Sequence, residues 1–446
     1  MLNFQRFIYC GLFFLSIASC SIEKKITQSA KADVLEAKAL QTAHIGISIF
    51  DPAADKYLYN YQGDKYFVPA SNTKLPTCYA AMKYLGDSLV GLRYKIFGET
   101  VGGPGIIIKE TGDPTFLHPD FKNQPVLEFL RSSKIPVSRK QSDFLESRLG
   151  SGWAWNDYEE SYMAERSSFP IYGNVVRFVV NNNHILVMPK YFQTADSVGT
   201  FNYFINEFPF DSFAITRDQA SNNFNWKRSG TKFKYQEIPF VTDEWTIANL
   251  LHDTAGVNTT THIGTSVLKE LNSIIHSQPT DSLLKPMMHR SDNFFAEQSL
   301  LMVSNEKLGV MNDEKIIDTL LKTDFKDLPQ KPRWVDGSGL SRYNLFTPQD
   351  FVAILNKMKN EFGMERIKVV LPTGGEGTIS SYYKADSGYI YGKTGTLSGV
   401  VAFSGFLYTK KGKLLIFSTL VNNHQSSATD VRRVIEKFIQ NIRNSY

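Results

Sequence analysis

Cysteine is nearly missing from this chain: Cys10, Cys20 and Cys78 are the only three in 446 residues. No pair of them has the spacing of a zinc or redox motif. Neither H-E-x-x-H nor G-x-S-x-G occurs, and the eight histidines form no cluster, which sets aside zincin chemistry and the nucleophile elbow. Charge of one sign is also lacking. Lys and Arg number 49 against 44 Asp and Glu, a net +5, and no dense Lys/Arg stripe appears. That balance suits a weakly acidic surface and argues against nucleic acid as the main partner. There is no internal repeat and no low-complexity tract. What is present is 42% hydrophobic and 13% aromatic residues, enough to bury a substantial core, over a length that predicts two or three domains.

The N-terminus, "MLNFQRFIYCGLFFLSIASCSIEKK", joins the positive Arg6 to an apolar stretch, Phe7 to Ile17, too short to span a bilayer. Ile17-Ala18-Ser19-Cys20 matches a lipoprotein cleavage box, which predicts a signal peptide over residues 1–19 and lipid on Cys20. An ordinary signal peptide that contains a cysteine is the alternative. Cleavage removes Cys10 and leaves Cys78 as a single free thiol, so no intramolecular disulfide is expected and packing alone holds the fold. The expected location is the periplasmic face of a membrane, held by a lipid anchor rather than a transmembrane helix.

Along the chain, Ile45, Ile47 and Ile49 alternate, Asp51-Pro52 turns, and Tyr57 and Tyr59 alternate back, predicting a hairpin. "VPASNTKLPTCYAAMKYLG" then reads as helix, with Pro76 predicted to kink it. Between about Val90 and Glu244 short β-like runs are broken by Gly, Asn and Asp turns. Helical periodicity returns in "TIANLLHDTAGV", "SVLKELNSIIHS" and "NFFAEQSLLMVSNEKLG". A second hairpin, Val400 to Tyr408 with Lys413 to Val421, precedes an amphipathic helix bearing Val431, Ile435, Phe438 and Ile442 on one face. This order predicts one discontinuous domain from residues 20–90 and 245–446, interrupted by a mostly β module at 91–244. The fold class expected is α/β of the α+β type, an antiparallel sheet flanked by helices.

Three short motifs carry the chemistry. Gly392-Lys393-Thr394 invites a phosphate-loop reading, but Ser387 stands where such a loop needs its first glycine, and both flanks have strand composition. Lys393-Thr394-Gly395 therefore lies on a strand. Ser71-Asn72-Thr73-Lys74 is one of seven S-x-x-K matches, distinguished by following a Pro break and opening a helix, where Lys74 falls one turn on and on the same face as Ser71. A capping serine followed by a solvated lysine is the bland alternative. Ser291-Asp292-Asn293 is one of two S-x-N matches; the other, Ser221 to Asn223, lies in the polar insert.

In that order, S-x-x-K, S-x-N and K-T-G form the signature of penicillin-binding proteins and serine β-lactamases. With "GSGWAWNDYEESY", "HRSDNFFAE", "VDGSGLSRYN", "LPTGGEGTI" and "KTGTLSGV", the chain resembles the class C low-molecular-mass penicillin-binding proteins, the D-alanyl-D-alanine carboxypeptidase/endopeptidase family, from about Ile45 to Val421. The 220 residues between Ser71 and Ser291 fit that family's inserted domains. The resemblance implies a penicillin-binding/β-lactamase-like transpeptidase fold. Its expected partners are peptidoglycan stem peptides and β-lactam antibiotics, and no metal or organic cofactor is implied.

For the site, the resemblance implies Ser71 as nucleophile and Lys74 as its base, with the lysine's proton loosened by burial and by the charge of Lys393. Asn293 would bond Lys74 or the substrate amide, and Ser291 would pass the proton toward the leaving amine. Backbone N–H groups of Ser71 and Thr396 would bind the oxyanion. Lys393, Thr394 and Thr396 would grip the terminal carboxylate, with Gly395 admitting the substrate backbone. Asp157 and Arg342 would read the charged side chain of the peptide's third residue; a turn carboxylate and a surface ion pair are the bland alternatives. A β-lactamase on the same fold and a catalytically silent peptidoglycan-binding lipoprotein are the rival functions.

Overall fold

The computed structural model describes residues 22–98, 104–140, 143–181, 184–193, 213–230, 234–262, 271 and 273–445. Residues 1–19, expected to be a signal peptide, and Cys20 lie outside the described residues. Among those described, no helix is long and apolar enough to cross a membrane.

One body of the structure is built on a five-stranded antiparallel sheet. Its order is Ile390–Leu397, Val400–Tyr408, Leu414–Asn422, His44–Asp51, Lys56–Tyr61, so both ends of the chain meet in its middle. Both predicted hairpins are therefore present. The two central C-terminal strands are apolar almost throughout because both their faces are covered. Ala402, Phe406, Ile416 and Leu420 face a core that includes Leu75 and Tyr79. Val401, Phe403, Leu407, Leu415, Phe417 and Val421 face the opposite core with Val431, Ile435 and Phe438 of the terminal helix Ala428–Ser445. Alternation along a strand sorts successive side chains into the two layers. On the first face, the helices Lys74–Tyr84 and Asn293–Leu308 are buried around most of their circumference, which explains their weak amphipathic pattern.

A second five-stranded sheet has the order Thr259–His262, Val137–Lys140, Gly105–Lys109, Ser88–Phe97, Ser273–Pro279 and contains two parallel pairs. A three-stranded sheet, Tyr235–Pro239, Val175–Asn181, His184–Met188, and the hairpin Phe213–Arg217 with Phe224–Arg228 complete the module. Two sequence expectations change here. The chain returns to the body near residue 280, not 245. The helix Glu244–Ala255 packs Ile247, Leu250 and Leu251 into the module's own core, and Ser273–Pro279 pairs with Ser88–Phe97. Helical periodicity reveals an apolar face but not which core receives it. The end of "SVLKELNSIIHS", expected as helix, lies in the strand Ser273–Pro279, while residues 266–270 lie outside the described residues. Pro76 causes no kink. The segment Ala70–Thr73 is 3₁₀ and the α-helix starts at Lys74, so Pro76 sits in its first turn, where the missing N–H costs little.

Candidate active site

The turn carrying Ser71 is fixed to the sheet on both sides. Asn422 binds the Val68 backbone with both ends of its amide, at 2.8 and 3.0 Å, and Asn72 Nδ2 donates to Ser404 Oγ at 2.7 Å in the interior. Ala70 holds a left-handed φ of 47°, which turns the chain into the helix. Gly395 explains how closely the edge strand approaches this turn. A Cβ there would meet Pro69 O at 2.7 Å and Ser71 N at 3.0 Å, so the glycine makes room for the turn that carries Ser71.

Lys74 Nζ donates to Ser71 Oγ at 3.0 Å, to Asn293 Oδ1 at 2.6 Å and to the Ser338 carbonyl at 2.7 Å. Lys393 Nζ donates to Ser291 Oγ at 2.8 Å and to the Thr394 carbonyl at 2.7 Å. Three segments far apart in sequence thus meet around two hydroxyls, Ser71 held by Lys74 and Ser291 held by Lys393. Both amines are fully buried. Burial lowers the Lys74 ammonium from its ordinary 10.5 to about 8, opposed by the charges of Asp336, Glu297 and Asp292. Lys393 falls well below the lysine range, from burial first and the charge of Lys74 second. The charge of Lys393, expected to loosen the Lys74 proton, is not among the causes acting on Lys74, whereas the charge of Lys74 does lower Lys393.

The pleat divides the predicted carboxylate clamp. Tyr391, Lys393 and Gly395 share the Ser71 face of the strand, whereas Ile390, Thr394 and Thr396 share the face of the terminal helix. Because this is an edge strand, both faces border the same cleft of about 740 Å³. Ser71, Ser291, Asn293, Thr394 and Thr396 line it, and so do Asp157 and Arg342 on its rim. Arg342 donates from Nη1 and Nη2 to the Ser398 carbonyl at 3.3 Å. Tyr162, beside Asp157, has its phenol pushed up to about 12 by burial, by its hydrogen bond to Asp157 and by the charges of Asp157 and Glu160. Asn293 Nδ2 donates to the Tyr162 carbonyl at 2.9 Å, linking rim to floor.

Sequence reasoning missed several supports. Asp336 is buried and accepts from Gly339 N, Asn344 Nδ2, Ser341 N and Trp153 Nε1, all at 2.7–2.9 Å, which shapes the loop whose Ser338 carbonyl holds Lys74. Trp153 thus packs and hydrogen-bonds. Gly339, at φ 85°, passes so close to Ala70 that a side chain would strike its carbonyl. Glu297 accepts from Ser338 N at 2.7 Å and is pushed up to about 8 by burial and the charge of Asp336. Thr378 accepts from Thr394 Oγ1 at 2.7 Å, and Arg432 donates to Thr396 Oγ1 at 2.5 Å. The quoted strings "VDGSGLSRYN" and "LPTGGEGTI" contained Asp336 and Thr378, but single letters carried no hint of these partners. Arg432 had no signal beyond its place on the polar side of a helix.

Known proteins bear on this geometry in two ways. At 21% identity and a TM-score of 0.70, the chain is similar in fold to penicillin binding protein 4 from Haemophilus influenzae, covering 94% of this chain and 98% of that one. A predatory peptidoglycan endopeptidase from Bdellovibrio bacteriovorus shares the fold at 13% identity, a TM-score of 0.52 and 90% and 93% coverage. In sequence, the D-alanyl-D-alanine carboxypeptidase of Actinomadura sp. (strain R39) is 25% identical over 89% of this chain and 80% of its own length. The family model for D-Ala-D-Ala carboxypeptidase 3 (S13) matches residues 27–197 and 247–442. With its serine, two amines and asparagine gathered at one cleft, the chain belongs to the D-Ala-D-Ala carboxypeptidase 3 (S13) family of serine-type hydrolases.

Proposed function

We propose that this protein cleaves the terminal D-Ala-D-Ala bond of peptidoglycan peptides, or D-Ala cross-links, through an ester on Ser71. The observation carrying the reading is the 3.0 Å contact between a fully buried lysine amine and a partly exposed serine hydroxyl. A lysine at about 8 is roughly a tenth neutral at pH 7, so a working fraction of molecules has its base ready. Neutral Lys74 takes the Ser71 proton as Oγ attacks the penultimate carbonyl. The oxyanion is met by backbone N–H groups of Ser71 and Thr396. The C–N bond then breaks. The proton held by Lys74 reaches the leaving amine through Ser291, whose oxygen is held by Lys393. Water, deprotonated by the same lysine, hydrolyses the ester and restores Ser71. Thr394 and Thr396 offer hydroxyls to the terminal carboxylate, while Asp157 and Arg342 face the peptide's third residue. β-Lactams, whose amide mimics the scissile bond, acylate the same serine.

Incubation with a fluorescent penicillin, alongside D-alanine release from a pentapeptide, tests this reading. Wild type is expected to hold the label and release D-alanine, and Ser71→Ala to do neither. Label retained by Ser71→Ala overturns the assignment. Rapid loss of label without peptide cleavage marks a β-lactamase instead.

The protein is further proposed to be exported and anchored through lipid on Cys20, on the strength of Ile17-Ala18-Ser19-Cys20. Radiolabelled palmitate is expected in wild type but not in Cys20→Ala, and label in both would refute the anchor.

A further inference from the structure

The terminal carboxylate of the substrate needs a counter-charge, and Lys393 is badly placed to supply it. Its amine is fully buried, lies on the Ser71 face of the strand and is engaged by Ser291 Oγ and the Thr394 carbonyl. Thr394 and Thr396 face the other way, toward the terminal helix. Only three charged side chains stand among the residues lining the cleft: Asp157, Arg342 and Arg432. Arg342 belongs to the rim and is turned to Ser398. Arg432, in the first turns of Ala428–Ser445, is the cation beside the threonines.

Three observations indicate that Arg432 awaits an anion. Its Nη2 donates to Thr396 Oγ1 at 2.5 Å, placing the guanidinium beside a cleft hydroxyl. Its Nε is buried and without a hydrogen-bond partner. Among the described residues it forms no ion pair, whereas its neighbour Arg433 is paired with Glu436. A buried guanidinium N–H left unpaired costs free energy that a ligand carboxylate can recover. A guanidinium also presents its donors as a planar fork that fits a carboxylate.

We propose that Arg432 is the specificity residue that binds the free C-terminal carboxylate of the D-Ala leaving residue, acting with the Thr394 and Thr396 hydroxyls. This rests on the proposed function of the same cleft. It assigns exopeptidase-type selection for a free acid terminus to the helix packed behind the sheet, and leaves Lys393 to serve Ser291.

The test compares wild type, Arg432→Gln and Arg432→Lys on two N-acyl-D-Ala-D-Ala peptides, one ending in a free carboxylate and one in a carboxamide. Wild type is expected to prefer the acid. In Arg432→Gln the acid-to-amide ratio of kcat/KM should fall roughly 10- to 100-fold, mainly through KM, the scale of one charged hydrogen bond. Arg432→Lys should recover part of the ratio. An Arg432→Gln enzyme that keeps the wild-type ratio overturns the inference and leaves the Ser71 mechanism standing. A wild type that releases neither D-alanine from the acid nor D-alaninamide from the amide overturns the mechanism as well.

Discussion

The floor of the cleft and its rim are built on opposite physical terms. On the floor, Lys74, Lys393 and Asp336 are fully buried, each is satisfied by fixed partners, and the two amines have lost much of their hold on protons. On the rim, Arg342 is exposed and Asp157 is half-buried, on segments that meet solvent. The rim residues Trp153, Asp157 and Tyr162 come from the inserted module. The floor residues come from both arms of the interrupted body. Burial tunes reactivity, because desolvation shifts proton affinity by units where a surface charge shifts it little. Exposure permits recognition, because a charge left in water can still be matched to a varied ligand. Under the proposed function, the chemistry falls to the buried floor and the approach to it to the 153–162 segment that lines the cleft.

The sharpest way to break this contrast is on the floor. Lys74→Ala should reduce acylation by fluorescent penicillin by at least about 10³-fold, by removing the base from a site where, among the described residues, no second amine hydrogen-bonds to Ser71 Oγ. Unchanged circular dichroism would show that the fold survives. A loss under tenfold would mean that another group takes the serine proton. Next in size, Gly395→Ala should cost on the order of 10²-fold, because the added methyl meets the immovable Pro69 carbonyl and pushes the strand away from Ser71. Acylation rates against Gly395→Ala measure it, and wild-type rates would show the loop free to yield.

The pH dependence is smaller and separates the two regions directly. Since neutral Lys74 is the active form, kcat/KM should climb about tenfold per unit below pH 8 and level off above it. Stability carries the same signature. The unfolded chain keeps its lysine proton to about 10.5 and the folded chain only to about 8, so this residue's contribution to stability rises with pH between those values. A profile flat from pH 6 to 9, in stopped-flow acylation, would contradict both. The smallest effect belongs to the rim. Asp157→Asn should change KM for peptides with a charged third residue by roughly tenfold or less, while leaving penicillin acylation within about twofold. Equal losses on both substrates would place Asp157 with the floor.

Much of this was legible in one dimension. The S-x-x-K, S-x-N and K-T-G order picked out Ser71, Lys74, Ser291, Asn293 and Lys393, which hydrogen bonds link in the fold, but not Asp336, Glu297 or the Ser338 carbonyl, because each motif is only a fixed local spacing that its helix or strand converts into a direction. The hairpins and the terminal helix were readable for the same reason: alternation and 3.6-residue periodicity are local. The return from the insert was not readable, since Ile247, Leu250 and Leu251 form the same apolar stripe whichever core they enter. Pro76 misled because its effect depends on where the α-helix begins, and the 3₁₀ turn at Ala70–Thr73 moved that start.

By itself the sequence determined which groups are available and which share a turn: a serine with a lysine three residues on, a threonine pair two apart on a strand, a chain able to fill two layers. Tertiary structure alone decided which of them lost their water and which face each one sees. Proton affinity and charge complementarity depend on distance and desolvation through space, and those quantities exist only once residues far apart in sequence, such as Lys74 and Lys393, or on separate elements, such as Thr396 and Arg432 at a sheet edge, have been packed together.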